Sequence, residues 1–160
     1  MATKDDLIPL DVRVVLPTSS GSAVFLGNEA KTFVIYVDQS VGAAITMFMR
    51  GVQKERPLTH DLIGSIFAGL GVRLDRVVIN DLKNSTFFAQ LFLDCENELG
   101  KKLLQVDARP SDSIALALQA KCPILVARRV FEAVDDMSEV LRKMSETPSE
   151  GEDESGGEGS

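Results

Sequence analysis

Val106–Leu118 reads VDARPSDSIALAL, and it changes character in the middle. It begins as the end of a strand, KLLQVD, and finishes as a helix, with Pro110 suited to the first helical turn. The same joint occurs 69 residues earlier, as VDQSVGAAI from Val37 to Ile45. Val37-Asp38 matches Val106-Asp107 and Ile45 matches Ile114 without a gap; Met47 and Met49 match Leu116 and Leu118. Elements of the same kind precede each joint. LDVRVVLP, AVFLG and TFVIYVD are β-rich runs separated by the turns TSSGS and NEAK, and QSVGAAITMFMRGV follows as a helix. RVVIND, TFFAQLFLD and KLLQVD, separated by LKNS and CENELGK, precede ARPSDSIALALQAK. Two βββα units follow from this order, each too small to bury its own sheet face and so packed together.

The rest of the chain fits around that repeat. RPLTHDLIGSIFAGLG lies between the units, with Thr59 as an N-cap, an apolar stripe of Leu62, Ile63, Ile66, Phe67 and Leu70, and Gly71 as a stop. CPILVA reads as a short buried strand, and DDMSEVLRKM as a final helix with acids early and bases late. The expected fold is α/β, more closely α+β: duplicated βββα units with mixed sheets packed around helices. The expected divisions are a flexible N-terminus at 1–7, one domain at 8–134, a C-terminal helix at 135–145 and an acidic disordered tail at 146–160. The first helix is apolar around most of its girth, which predicts burial in the domain or in a homo-oligomer contact, a dimer foremost.

With 160 residues, 44% of them hydrophobic, the chain is long enough for a sizeable core. The net charge of −7 is mostly the tail, because residues 146–160 hold six acids and no base. The remainder carries 18 acids against 17 bases, a balance that allows a local basic patch. No apolar run suits a membrane span, and MATKDDLIPL lacks the apolar stretch of a secretory signal. Cys95 and Cys122 lie far apart without metal-ligand spacing, so a cytoplasmic protein with reduced thiols is expected. No Gly-rich phosphate loop, zinc spacing, nucleophile elbow or dinucleotide fingerprint is present.

Two constellations carry candidate chemistry. In the opening joint, Ser111 or Asp112 can cap a helix start, and Asp107 with Arg109, two apart on a strand, can pair across one face. That is a sufficient structural account. The same residues also suit an anion site, because a helix N-terminus attracts phosphate and an arginine grips its oxygens in pairs. Asp107 and Asp112 offer hard oxygens to a divalent cation such as Mg2+. The first joint turns its corner without the Arg, the Pro or the second Asp, which inclines Arg109 and Asp112 toward function. In RPLTHDL, His60 is the sole histidine and a candidate general base, Asp61 a candidate metal ligand and Arg56 a phosphate contact. The structural alternative there is a Thr59 cap, Asp61 at the positive helix end and His60 packed over Ile63.

Taken together, RPLTHDLI, RVVIND, TFFAQLFL and VDARPSDSIALAL…CPILV, in this order, resemble the bifunctional nuclease domain family over roughly Leu10 to Val134. The resemblance implies a compact α/β fold and cleavage of DNA and RNA. It points to Arg56, His60 and Asp61 in the first motif and to Asp107, Arg109, Ser111 and Asp112 in the second. Where many members carry a Gly and a Glu at the first joint, this chain has Asp38 and Val41. An acidic tail stands where some plant relatives have an Arg-rich extension. The expected function is metal-assisted hydrolysis of phosphodiester bonds, with Asp107 and Asp112 on the metal, Arg56, Arg109 and Ser111 on phosphate, and His60, Asp61, Asp107 and Asp112 in the chemistry. The competing expectation is a non-catalytic module that uses the same pocket for an anion or a partner. The catalytic reading requires His60, Asp107, Arg109 and Asp112 to converge.

Overall fold

The computed structural model describes residues 6–146. Two βββα units are present. The first is β1 (Leu7–Pro17), β2 (Ser22–Gly27), β3 (Thr32–Val37) and α1 (Gln39–Arg50). After α2 (Thr59–Gly69) comes the second: β4 (Val72–Lys83), β5 (Thr86–Asn97), β6 (Gly100–Ala108) and α3 (Pro110–Ala120). β7 (Ile124–Ala127), α4 (Arg128–Ala133) and α5 (Ser138–Glu146) complete the described chain. None of these helices is long and apolar enough to cross a membrane.

All seven strands form one mixed sheet in the order β3-β2-β1-β7-β4-β5-β6. Read outward from β7, each side presents the first, second and third strand of its unit. β7 runs antiparallel to β1 and parallel to β4. The first strands of the two units therefore run in opposite directions, as a two-fold relation between the units requires. The helices keep the register of the repeat. α1 buries Val41, Gly42, Ala44 and Ile45, and α3 buries Pro110, Ser111, Ser113 and Ile114, each 69 residues on. Ile45 and Ile114 are both fully buried in a core shared with Val24, Leu26, Phe33, Val77, Ile79 and Val126. A side chain at Gly42 would collide with Ser22, so the missing Cβ lets α1 lie directly on β2.

Several local expectations shift. β1 starts at Leu7 rather than Leu10. α2 starts at Thr59, so Thr59 is not the cap: Leu58 precedes the helix, and Asp61 Oδ2 reaches back to accept from the Leu58 N–H at 2.8 Å. Only Ile63 and Phe67 of the α2 stripe pack on the core, while Leu62, Ile66 and Leu70 are exposed. α1 likewise buries one face and leaves Met49 open. α5 begins at Ser138, because Asp136 accepts from the Ser138 N–H at 3.0 Å and ties the segment to β3 through the Thr32 N–H at 3.2 Å. The LKNS turn is a two-residue hairpin in which Asn84 and Ser85 both take positive φ. The acidic tail falls outside the described residues apart from Glu146, which ends α5, and residues 1–5 of the N-terminus also lie outside them.

Candidate functional site

β3 and β6 are the outermost strands of the sheet, yet the joints that follow them meet. Arg109 Nη1 lies 3.6 Å from Asp38 Oδ2. The sheet curls enough to bring its edges together, and Phe33 of β3 stacks on Phe87 of β5 with ring centroids 5.9 Å apart. The N-termini of α1 and α3 thus open at one place, where both helix dipoles favour negative charge. A cavity of about 350 Å3 lies there, lined by Tyr36, Asp38, Thr86, Arg109 and Ser111 among others.

The two helix starts are finished differently. Asp38 caps α1: its Oδ1 accepts from the Val41 N–H at 3.0 Å and from the Ser40 hydroxyl at 2.9 Å. Those bonds hold the Asp38 carboxyl below its usual range, with Arg109 assisting. At α3 the preceding residue, Arg109, makes no side-chain cap. Its carbonyl instead accepts the Ser113 N–H at 3.0 Å and the Ser113 hydroxyl at 2.8 Å. Arg109 and Asp112 keep their side chains for each other, with Nε to Oδ2 at 2.9 Å.

Asp112 also joins the other motif. His60 Nε2 lies 3.0 Å from Asp112 Oδ1, across 52 residues of sequence. An ionised carboxylate only accepts, so in the neutral ring Nε2 carries the proton. Burial pushes Asp112 up, but the hydrogen bonds from Arg109 and His60, with the charge of Arg109, outweigh it and hold the carboxyl below its usual 3.8. The same bond and charge push Arg109 up. His60 is only 6% exposed and meets Phe48 edge-on at 6.3 Å. It sits behind Asp112 and holds it, while the Arg109 side chain, 63% exposed, faces solvent.

The remaining sequence candidates fall elsewhere. Asp107 stays in β6, directly opposite Gln90 of β5. Strand alternation puts it on the face opposite Val106, whose partner Leu91 is core. The strand ends at Ala108, so Arg109 leaves the strand face and the expected Asp107–Arg109 pair does not form. Asp107 is exposed and has no partner among the described residues. The four-residue convergence therefore holds for His60, Arg109 and Asp112 and fails for Asp107. Asp61 is occupied in holding α2: besides Leu58 it meets Lys54 Nζ at 3.2 Å and Gln119 Nε2 at 3.3 Å. Burial pushes Asp61 up, and these contacts bring it below its usual range. Arg56 is exposed in the loop before α2. Ser111 is buried at the cavity. No three His, Cys, Asp or Glu side chains among the described residues gather as a metal site. Asp107 lies on the outer face of β6 and Asp112 in the first turn of α3.

Sequence reasoning passed over Tyr36 and Thr86. Tyr36 is the sole tyrosine and is 70% exposed on β3 between the buried Ile35 and Val37. Alternation in TFVIYVD gave a signal for it. Thr86 carries no such signal, because only the curl of the sheet brings the β4–β5 hairpin to the joint.

Fold and site together define a duplicated α+β domain whose two helix starts meet at one joint. Sequence comparison supplies its family. Residues 24–138 match the family model of the bifunctional nuclease domain, and the chain belongs to that family. It is 45% identical over 104 residues to uncharacterized proteins of two Mycobacterium tuberculosis strains, covering 65% of this chain and 59% of theirs. It is 25% identical over 138 residues to bifunctional nuclease 1 of Oryza sativa subsp. indica, covering 86% of this chain and 38% of the rice protein. The chain thus spans about three fifths of the mycobacterial relatives and about two fifths of the rice one.

Proposed function

We propose that this domain hydrolyses phosphodiester bonds in DNA or RNA at the joint between β6 and α3. The observation that carries the reading is the His60–Asp112–Arg109 chain at the paired helix starts, within a bifunctional nuclease domain. Arg109 binds a phosphate by exchanging its surface carboxylate partners for phosphate oxygens, helped by the N-termini of α1 and α3. That exchange leaves Asp112 hydrogen-bonded to His60 and next to the bound phosphate, placed to accept a proton from an attacking water. His60 orients Asp112 from the buried side and stabilises its charge. Ser111 and Thr86 border the space the phosphate enters.

A second reading has its own support. Both oxygens of Asp112 already have partners and His60 is buried, which suits a pocket that holds an anion without cutting it. The test is a cleavage assay on highly purified full chain with labelled single- and double-stranded DNA and RNA, in Mg2+ and in EDTA, beside Arg109→Ala. Hydrolysis predicts products from the wild type and none from Arg109→Ala. A wild type that retains the oligonucleotide intact, with retention lost in Arg109→Ala, supports the binding module. Loss of cleavage in EDTA at unchanged melting temperature shows that cleavage needs a divalent cation and the fold does not.

A further inference from the structure

The face of the sheet away from α1 and α3 holds a larger groove, of about 770 Å3. Its floor follows from strand register. Arg76 stands opposite Phe92 and Val78 opposite Gln90; on the next strand Gln105 stands opposite Phe92. The alternate residues Val77 and Leu91 belong to the core, so this row faces outward. Arg128 and Arg129 at the start of α4 form one wall.

The groove is already shaped. Arg76 Cζ lies 4.2 Å from the centroid of the Phe92 ring, and Asp75 holds the same guanidinium at 2.6 Å. Arg129 is fixed by Asp81 at 3.0 Å and by the Asn80 carbonyl at 2.8 Å. The side-chain oxygen of Asn80, a lining residue, is buried without a hydrogen-bond partner among the described residues.

We infer that this groove binds a nucleotide unit, one nucleobase with its phosphate. A guanidinium held over an aromatic ring forms, with that ring, a surface on which a base can stack. The amides of Gln90 and Gln105 each offer a donor and an acceptor, the pattern that meets a base edge. Arg128 and Arg129 meet the phosphate from the α4 side. Asp6 and Glu132 line the same groove, and Asp75 and Asp81 already pair with Arg76 and Arg129, so the arginines bring no net excess of positive charge. That balance disfavours a bare phosphate and makes the base the recognised part. The choice of a nucleotide over other flat anions rests on the nucleic-acid reading above, and the unit is supplied either free or within a single strand.

Calorimetric titration of the full chain with AMP, ribose 5-phosphate and a short mixed-sequence single-stranded RNA tests this. AMP and the RNA bind and compete, and ribose 5-phosphate binds at least about tenfold more weakly than AMP. Gln105→Ala weakens AMP at least about threefold, and Phe92→Leu, checked for an unchanged fold by circular dichroism, does so at least about fivefold. RNA binding about tenfold tighter than AMP identifies the strand as the source; AMP as tight as RNA identifies the free nucleotide. Ribose 5-phosphate equal to AMP, wild-type affinity in both groove variants, or no binding of either nucleotide ligand at millimolar concentration overturns the inference. Cleavage is read separately. AMP binding without cleavage defeats the hydrolysis reading alone, and cleavage without groove binding defeats this inference alone.

Discussion

The joint after β3 and the joint after β6 have the same origin in sequence and different use of their acids. At the first, Asp38 serves the helix: its carboxylate caps α1 through Val41 and Ser40. At the second, no side chain caps α3: Pro110 opens the helix, and the Arg109 carbonyl accepts the Ser113 N–H and hydroxyl. Arg109 and Asp112 are therefore not spent on a cap and pair with each other, and Asp112 with His60. One copy of a repeated element keeps the corner stable, and the other has side chains left over for chemistry.

The equivalence of the two units meets its severest test in their cores. Ile45 and Ile114 occupy the same register and are both fully buried. Ile45→Ala and Ile114→Ala should each cost about 2–5 kcal/mol by urea denaturation. A cost below about 1 kcal/mol at one site alone would break the correspondence.

Next in size is the contact that separates the two helices. Gly42 matches Ser111 in the repeat, but no side chain fits at Gly42 against Ser22. Gly42→Ala should destabilise by about 1–3 kcal/mol from overpacking. A neutral Gly42→Ala, measured the same way, would mean that α1 can lift off β2 as freely as α3 from its own strands.

The caps give a smaller contrast. Asp38→Ala removes a cap and should lower the melting temperature by about 2–6 °C. Asp112→Asn keeps its one oxygen for the Arg109 N–H, and its NH2 can donate to His60 Nε2 in the other ring tautomer, so it should shift the melting temperature less. The reverse ranking would place the structural acid at the second joint.

The smallest effect is in acid. Asp112 is held below its usual 3.8, so its folded-state pKa is depressed. Its contribution is fully present above the unfolded value and is lost as pH falls through the lower folded value. Wild-type stability should therefore drop below about pH 4 more steeply than that of Asp112→Asn. Parallel curves for the two proteins would show that the Arg109 and His60 contacts do not bias the protonation of Asp112.

The repeat was legible because its buried positions are set by helical spacing, which survives in VGAAI and PSDSI alike. The meeting of His60 with Asp112 followed from placing both motifs at helix starts. Asp107 misled because strand alternation was carried one residue too far: β6 ends at Ala108, and Arg109 already belongs to the turn. Asp61 shows that an acid at the third helical position is readily taken by the preceding backbone N–H, here that of Leu58. The cavity beside Tyr36 and the outer groove depend on sheet curl and on the packing of α4. Both are products of strand order, which local periodicity does not encode.

The central claim is that the second joint, and not the first, carries the chemistry. Phosphodiester cleavage by purified wild type, Asp112→Asn and Asp38→Ala, each with its melting temperature, tests it most directly. Removing the acid that accepts a proton predicts a rate at least about a hundredfold lower for Asp112→Asn, with a nearly unchanged melting temperature. Asp38→Ala should melt earlier and cleave within about threefold of wild type, because its contact with Arg109 is a solvent-exposed ion pair. Wild-type cleavage by Asp112→Asn would contradict the account.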